Sequence, residues 1–281
     1  MYYYDKPIEN SSEDSLGRAS FSKLLAKTLF NLKNSDTFTI GLYGKWGSGK
    51  TSIVNMALQE LNQLQKDATE KTVVVHFEPW HFSDSKQLLN QFIIRLANEF
   101  ESKSDATMNK IGKALEAYSS AFSFAELIPV VGAPIASVGK GLFSRFGKYM
   151  QKDISTQDVL QQKTNVIKLL KKQKTKILVV IDDIDRLTDE QIRQVFQLVS
   201  AVAKFPNTAY LLVFDKDIVV KALNNLHKDK GEDYLHKIIQ MPIQIPDVKE
   251  SELHKSLFTN LEKIIDEYKT PFHADRWKNQ L

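Results

Sequence analysis

The stretch Gly44-Lys-Trp-Gly-Ser-Gly-Lys-Thr51 decides the fold of this 281-residue chain. It fits the pattern G-x-x-x-x-G-K-[ST], in which glycines let the backbone curl around a phosphate and successive N–H groups face the anion. The run Thr-Phe-Thr-Ile-Gly-Leu-Tyr at residues 37–43 predicts a strand before it, and residues 51–66 are predicted to form a helix after it. A strand, a glycine-rich loop and a helix in this order predict a phosphate-binding loop.

Each position of this loop has an expected role. Lys50 is expected to reach the β- and γ-phosphates, and the hydroxyl of Thr51 to bind Mg²⁺. The guanine-reading motif Asn-Lys-x-Asp is absent from the sequence, so ATP and Mg²⁺ are the expected ligands. The other nucleotide contacts predicted in and after the loop are Gly44, Lys45, Trp46, Gly47, Ser48, Gly49 and Ser52.

Two acids follow the strongest predicted strand, Ile-Leu-Val-Val-Ile at residues 177–181. Ligands of open parallel sheets bind outside the carboxyl ends of the strands, so both acids are expected to face the same crevice as the loop. Asp182 would hold the magnesium ion or its water, and Asp183 would orient or deprotonate the attacking water. The loop and the acids together predict a site that hydrolyses a nucleoside triphosphate.

Arg186 has two interpretations. It either forms a structural salt bridge with Asp183 or Asp185, or it contacts a phosphate of its own site or of a neighbouring protomer, as an arginine finger does. Arg193, seven residues further on, is the other finger candidate.

Asp215 follows the strand predicted at residues 208–214. It either senses the γ-phosphate through water or caps the helix that follows. Glu78 and His81 end the second predicted strand and are candidates for regulating the nearby acids.

The whole chain alternates between strand and helix patterns, which predicts βαβ units and a parallel sheet. The fold class is therefore α/β, a three-layer P-loop NTPase with helices on both faces of a mostly parallel sheet. We expect residues 1–249 to form the core, with a helical insertion at 105–155, and residues 250–281 to begin a C-terminal helical lid that is truncated. The predicted strands are residues 37–43, 72–77, 177–181, 208–214 and 239–245, and the main predicted helices are residues 85–101, 191–204 and 250–268.

Residues 119–139 hold a single charge, Glu126, and approach the length of a membrane span. Pro129, Gly132 and Pro134 interrupt the stretch, which argues against one straight helix. A packed helical hairpin is favoured, a re-entrant or interfacial membrane segment and a partner-binding surface remain open, and a bilayer span is the least favoured alternative.

Composition removes several classes of function. The chain has no cysteine, which excludes disulfides, thiolate nucleophiles and cysteine-based zinc sites. Its 38 basic and 34 acidic residues leave a net charge of +4, too weak an excess to predict a nucleic-acid face. The expected location is the cytoplasm, with peripheral contact at the inner membrane as an alternative.

Seven segments together resemble the KAP family of P-loop NTPases, which includes phage-exclusion and membrane-scaffold proteins. They are residues 5–8 (Asp-Lys-Pro-Ile), 14–18 (Asp-Ser-Leu-Gly-Arg), 41–51, 77–82 (Phe-Glu-Pro-Trp-His-Phe), 181–186 (Ile-Asp-Asp-Ile-Asp-Arg), 212–215 (Leu-Val-Phe-Asp) and 234–240 (Tyr-Leu-His-Lys-Ile-Ile-Gln). This resemblance implies an ASCE-type sheet with the acid strand beside the loop strand, and a helical lid from Glu250 onward. It also implies that Ile8 and the turn Leu16-Gly17-Arg18 flank the adenine. Two points depart from the family: residues 119–139 are too broken for the membrane helices that many members insert there, and Glu78 stands where members commonly have a smaller polar residue.

The expected function is an ATP-hydrolysing switch that controls self-association or an effector beyond residue 281, with bacterial antiviral defence as one setting. The alternative is a nucleotide-dependent scaffold or binding module that hydrolyses negligibly. A small-molecule kinase is less favoured, because residues 250–281 offer only Arg276 where such enzymes use an arginine-rich lid.

Overall fold

The computed structural model of the protein describes residues 6–32, 36–66, 68, 72–81, 85–103, 105–122, 156–173, 175–227 and 230–268. Most of the apolar segment at residues 119–139, the rest of the insertion up to residue 155 and the end of the lid lie outside these residues. Across the described ranges, no helix is both long enough and apolar enough to cross a membrane.

The described strands form one parallel sheet, which confirms the α/β class. They are β1 (Phe38–Tyr43), β2 (Thr72–Phe77), β3 (Lys176–Ile181), β4 (Thr208–Phe214) and β5 (Met241–Gln244), in the order β2-β3-β4-β1-β5. All five predicted strands are confirmed, and the fifth is shorter than predicted because its pairing with β1 covers only four residues.

The order of the strands corrects one expectation. The acid strand β3 does not lie beside the loop strand β1, because β4 pairs with both of them. Leu211 of β4 is opposite Ile40 on one side and opposite Val180 on the other. An apolar strand pattern predicts burial but not the identity of the neighbouring strand. The end of β4 therefore lies between the phosphate loop and the acids.

The helices of the described residues are α1 (Ala19–Asn31), α2 (Lys50–Leu64), α3 (Ser85–Glu101), α4 (Ala106–Phe122), α5 (Thr156–Lys172), α6 (Asp189–Gln197), α7 (Lys216–His227), α8 (Gly231–Ile238) and α9 (Glu250–Tyr268). The helix predicted over residues 191–204 is divided in the structure. It begins earlier, because Thr188 and Gln191 form a capping box, and a π-helical turn at Leu198–Val202 replaces its last part.

Side chains of the strands alternate between two cores. In β3, Leu178 and Val180 pack with buried residues of α1 and α2, whereas Val179 and Ile181 pack with buried residues of α3, α4 and α5. Burial on both faces is typical of a parallel sheet between two layers of helices. The three-layer prediction is thus confirmed, and the loop leaves the carboxyl end of a strand in the interior of the sheet. The division into core and lid stays a prediction.

Candidate nucleotide site

The loop after β1 folds the side chain of Lys50 back onto its own backbone. The Lys50 ammonium donates hydrogen bonds to the carbonyl oxygens of Gly44 at 3.2 Å and Lys45 at 3.5 Å. Gly49 precedes α2 with a φ of 78°, a left-handed conformation that glycine adopts without steric cost. The free N–H groups at the start of α2 and the ammonium thus supply positive potential at one place.

Gly44 also leaves no room for a side chain. A Cβ there would lie 2.5 Å from Ser48 Oγ and 2.9 Å from Ile245 Cδ1. We expect Gly44→Ala to lower the free energy of unfolding by about 1–3 kcal/mol through overpacking. Gly47→Ala is the matched control, because a Cβ at Gly47 meets open space and adds only backbone strain, with a φ of 74°. Urea unfolding of both variants measures the packing and strain losses separately, and a Gly44→Ala variant as stable as the unaltered chain would contradict the packing argument.

Thr51 and Asp182 meet across the crevice. The Thr51 hydroxyl donates a hydrogen bond of 2.8 Å to Asp182 Oδ2, and Asp182 Oδ1 accepts the Asp183 N–H at 2.7 Å. Burial raises the pKa of Asp182 to about 6, and the Thr51 hydrogen bond partly offsets that rise. Among the residues described, no group of three or more histidine or acidic side chains is placed to hold a metal ion. The oxygen pair of Thr51 and Asp182 fits Mg²⁺, which takes few protein ligands and completes its shell with water and substrate phosphates.

Asp185 is the site residue whose role sequence reasoning missed. Its side chain is 1% exposed and pairs with the ammonium of Lys50, which is 8% exposed, at 3.0 Å. The same oxygen, Asp185 Oδ2, accepts the Asp215 N–H at 3.2 Å. Asp185 Oδ1 is buried, and no group in the described residues bonds to it. Lys50 therefore has a buried counter-ion from the other half of the site.

The turn after β3 explains which acid pairs with which cation. Ile184–Arg186 form a 3-10 turn, in which residues three apart eclipse each other. Asp183 and Arg186, three residues apart across this turn, form an ion pair, whereas Asp182 contacts Thr51 and Asp185 contacts Lys50 of the phosphate loop. In the sequence, only the three-residue spacing indicates this pairing. In the structure, Arg186 pairs with Asp183 and not with Asp185.

Asp183 is held by Arg186 and by its own backbone. Arg186 Nε lies 3.0 Å from Asp183 Oδ1, and the guanidinium carbon lies 5.1 Å from the ring centroid of Trp46. Asp183 has a φ of 58°, a left-handed conformation that Asp and Asn tolerate better than most residues. Burial raises the pKa of the Asp183 carboxyl group, Arg186 lowers it, and Glu78 adds a smaller rise.

Asp215 connects the phosphate loop to the next helix. Its Oδ2 accepts the Trp46 N–H at 3.3 Å, and its Oδ1 accepts the Asp217 N–H in the first turn of α7 at 3.1 Å. The capping interpretation is thus present in the structure, and a γ-phosphate sensor role stays a prediction. Through Asp185, Asp215 is also linked to Lys50.

The N-terminal segment lies along the phosphate loop and α2. Ile8 donates its N–H to Ser52 Oγ at 3.3 Å, and its carbonyl oxygen accepts from Asn55 Nδ2 at 3.2 Å. Arg18 is 7% exposed and donates to the carbonyl oxygens of Ser48 and, at 3.1 Å, Pro246. Arg18 therefore joins the N-terminal segment, the loop and the chain after β5, and an adenine contact for it stays a prediction.

We expect Arg18→Met to lower the free energy of unfolding by about 1.5–3 kcal/mol, the usual value of hydrogen bonds from a charged donor. The same change is expected to weaken ATP binding, because the carbonyl of Ser48 then lacks its donor. Urea unfolding and ATP titration measure the two effects. Arg18→Lys is the control, because it keeps the positive charge but loses the forked geometry of the guanidinium. Unchanged stability and ATP affinity in Arg18→Met would contradict this role.

Two other candidates lie apart from these contacts. Arg193 on α6 forms an ion pair with Glu190, with Nε 2.9 Å from Oε2, and its side chain is 18% exposed. His81 belongs to a short 3-10 turn, Pro79–His81, that follows β2. The finger role of Arg193 and the regulatory role of His81 stay predictions.

A glycine-rich loop after β1, paired acids after β3 and a strand inserted between them define a P-loop NTPase domain of the ASCE type. The sequence profile described as KAP family P-loop domain matches residues 18–281. The chain therefore belongs to the KAP family.

Known proteins give further similarities. The Phage T7 exclusion protein of Escherichia coli (strain K12) is 28% identical over 260 residues, which cover 86% of this chain and 34% of that protein. The chain thus spans about a third of the length of this relative. Among solved structures, the ORC2 protein of Aeropyrum pernix, in ADPNP–ADP complexes, aligns with a TM-score of 0.45 and 16% identity over 89% of this chain and 52% of that one. CDC6P from Pyrobaculum aerophilum aligns with a TM-score of 0.43 and 14% identity over 88% and 49%.

Proposed function

We propose that this chain is a Mg²⁺-dependent ATPase domain that works as a switch. The observation that carries the proposal is the hydrogen bond of 2.8 Å between Thr51 of the phosphate loop and Asp182 after β3. It joins the two halves of a hydrolytic site that are 131 residues apart in sequence. Oxygen ligands for the metal, a cationic loop and a second acid beside them are the parts that ATP hydrolysis needs.

The loop residues bind and orient the phosphates in this proposal. The N–H groups at the N-terminus of α2 face the anion, and Lys50 exchanges its loop carbonyl contacts for phosphate oxygens. Asp185 keeps a negative charge beside the ammonium and so limits where it can move. Thr51 and Asp182 would hold Mg²⁺, which when bound offsets charge on the phosphates.

Asp183 is the proposed base. Its carboxylate accepts a hydrogen bond from the attacking water and then the proton of that water. Its raised pKa brings it closer to the range in which a carboxylate accepts a proton at neutral pH. Asp215 accepts hydrogen bonds from the N–H groups of Trp46 in the loop and Asp217 in α7. It is therefore the proposed group that couples phosphate binding in the loop to the position of α7.

The similarity to a phage-exclusion protein supports antiviral defence as the setting. In this proposal the nucleotide state controls self-association or a separate effector. The alternative, a binding module with negligible hydrolysis, has one observation in its favour: Arg186 pairs with Asp183 in this structure.

Phosphate release from ATP, measured over a hundredfold range of protein concentration, tests the proposal. We expect turnover that requires Mg²⁺. If self-association completes the site, the turnover rate per protein molecule should rise with protein concentration. Competition between GTP and ATP tests whether the site prefers adenine to guanine. Tight Mg·ATP binding without turnover at any concentration would favour the binding module instead.

A further inference from the structure

Trp46 occupies the tip of the phosphate loop with its side chain largely outside the protein. It is 63% exposed, and Arg186 lies over its ring. We propose that Trp46 is a positioning residue, which holds Arg186 on the carboxylate of Asp183 and so restrains hydrolysis. The proposal deepens the ATPase function above and rests on it for its effect on turnover.

Burial does not explain this tryptophan. A large apolar side chain at the tip of a loop gains little from the hydrophobic effect when most of it stays in water. Its backbone is fixed instead, since the Trp46 N–H donates to Asp215 Oδ2 at 3.3 Å. The main chain at the loop tip is therefore held, and the group that the ring meets is the guanidinium of Arg186.

Arg186 needs more than its ion pair to stay in place. Its side chain is 46% exposed, and exposed ion pairs contribute little by themselves. Arginine stacks on aromatic faces as well as pairing with carboxylates, and here it does both at once. The stacking and the ion pair restrict the same guanidinium from two sides, and they connect the loop to the turn after β3.

The consequence falls on Asp183. Arg186 lies against its Oδ1 and takes one of about four lone-pair sites of the carboxylate, which leaves the attacking water fewer sites to which it can donate. When Arg186 leaves, that site becomes available, and the charge of the arginine is free to meet a phosphate. Trp46 lies in the loop that the phosphates approach. Nucleotide binding therefore acts on Trp46 and, through it, on the contact between Arg186 and Asp183.

Fluorine NMR of the full chain labelled with 5-fluorotryptophan tests the contact without any need for turnover. Trp46→Phe assigns the resonance of Trp46 among the three tryptophans. We expect Arg186→Gln to move that resonance by more than its line width, and Arg193→Gln, which alters an arginine paired with Glu190, to leave it in place. An unmoved resonance in Arg186→Gln would overturn the contact.

Steady-state kinetics test the restraint. We expect Trp46→Ala to raise kcat about two- to five-fold with KM for ATP little changed, as loss of one exposed cation–π contact would give. Trp46→Phe keeps an aromatic face, so its kcat should lie between those of the unaltered chain and Trp46→Ala. In an Arg186→Gln background, Trp46→Ala should have no further effect on kcat.

Two results would overturn the proposal: a lower kcat in Trp46→Ala, or the same change of kcat with and without Arg186. A changed KM at constant kcat would also do so, because it would make Trp46 a nucleotide contact. If the unaltered chain binds ATP but never turns it over, the ATPase function fails, and the NMR measurement alone decides the Trp46–Arg186 contact.

Discussion

Lys50→Ala is expected to weaken ATP binding strongly and also to destabilise the fold. Removing the charged donor that faces the phosphates should weaken binding by about 100-fold or more, since each charge-assisted hydrogen bond contributes about 1.5–3 kcal/mol. The second effect arises because Asp185, 1% exposed, loses its counter-ion. Breaking a buried pair from one side costs about 3–5 kcal/mol. ATP titration and urea unfolding measure the two losses separately.

The double variant Lys50→Ala with Asp185→Asn separates these effects. The neutral amide removes the uncompensated charge and can still accept the Asp215 N–H, so most of the lost stability should return. ATP binding should stay weak. If the double variant bound ATP as the unaltered chain does, Lys50 would be a structural residue and not a phosphate ligand.

Asp183→Asn is expected to lower kcat by about 10²–10⁴-fold, the usual contribution of a general base. ATP affinity should change only a few-fold, because Asp183 contacts neither Lys50 nor Thr51 in the contacts described. Asn suits this position better than Ala, since it also tolerates the φ of 58° found here. A steady-state assay of phosphate release gives the measurement.

Asp233→Asn is the matched control for that variant, because Asp233 is an exposed acid on α8 outside the site. Its kcat should equal that of the unaltered chain. Equal activity of Asp183→Asn and Asp233→Asn would remove Asp183 from the chemistry and leave Asp182 as the acid to consider.

Strands and loop were predictable because their signals are local. The five strands are short apolar runs, and the phosphate loop needs glycine, lysine and a hydroxyl at fixed spacing. The order of the sheet was not local information. β4 separates β1 from β3 through pairings between residues that are far apart in sequence, such as Ile40 with Leu211. The expected adjacency of β1 and β3 was therefore wrong.

The ion pairs show the same division between local and distant contacts. The pairing of Arg186 with Asp183 joins residues three apart, and the sequence offers both Asp183 and Asp185 as partners for this arginine. The pairing of Asp185 with Lys50 crosses 135 residues, and nothing in the run Asp-Asp-Ile-Asp-Arg indicates it. Arg18 is similar, because its carbonyl partners at Ser48 and Pro246 come from segments that only the fold brings together.

A single-turnover experiment tests the central claim most directly. The protein is held in excess over radiolabelled ATP, at a concentration that binds all of it, and the nucleotide recovered is analysed over time with and without Mg²⁺. We expect bound ATP to become ADP and phosphate in the presence of Mg²⁺, and to persist in Asp183→Asn. Bound ATP that is recovered intact from the unaltered chain would contradict hydrolysis at this site.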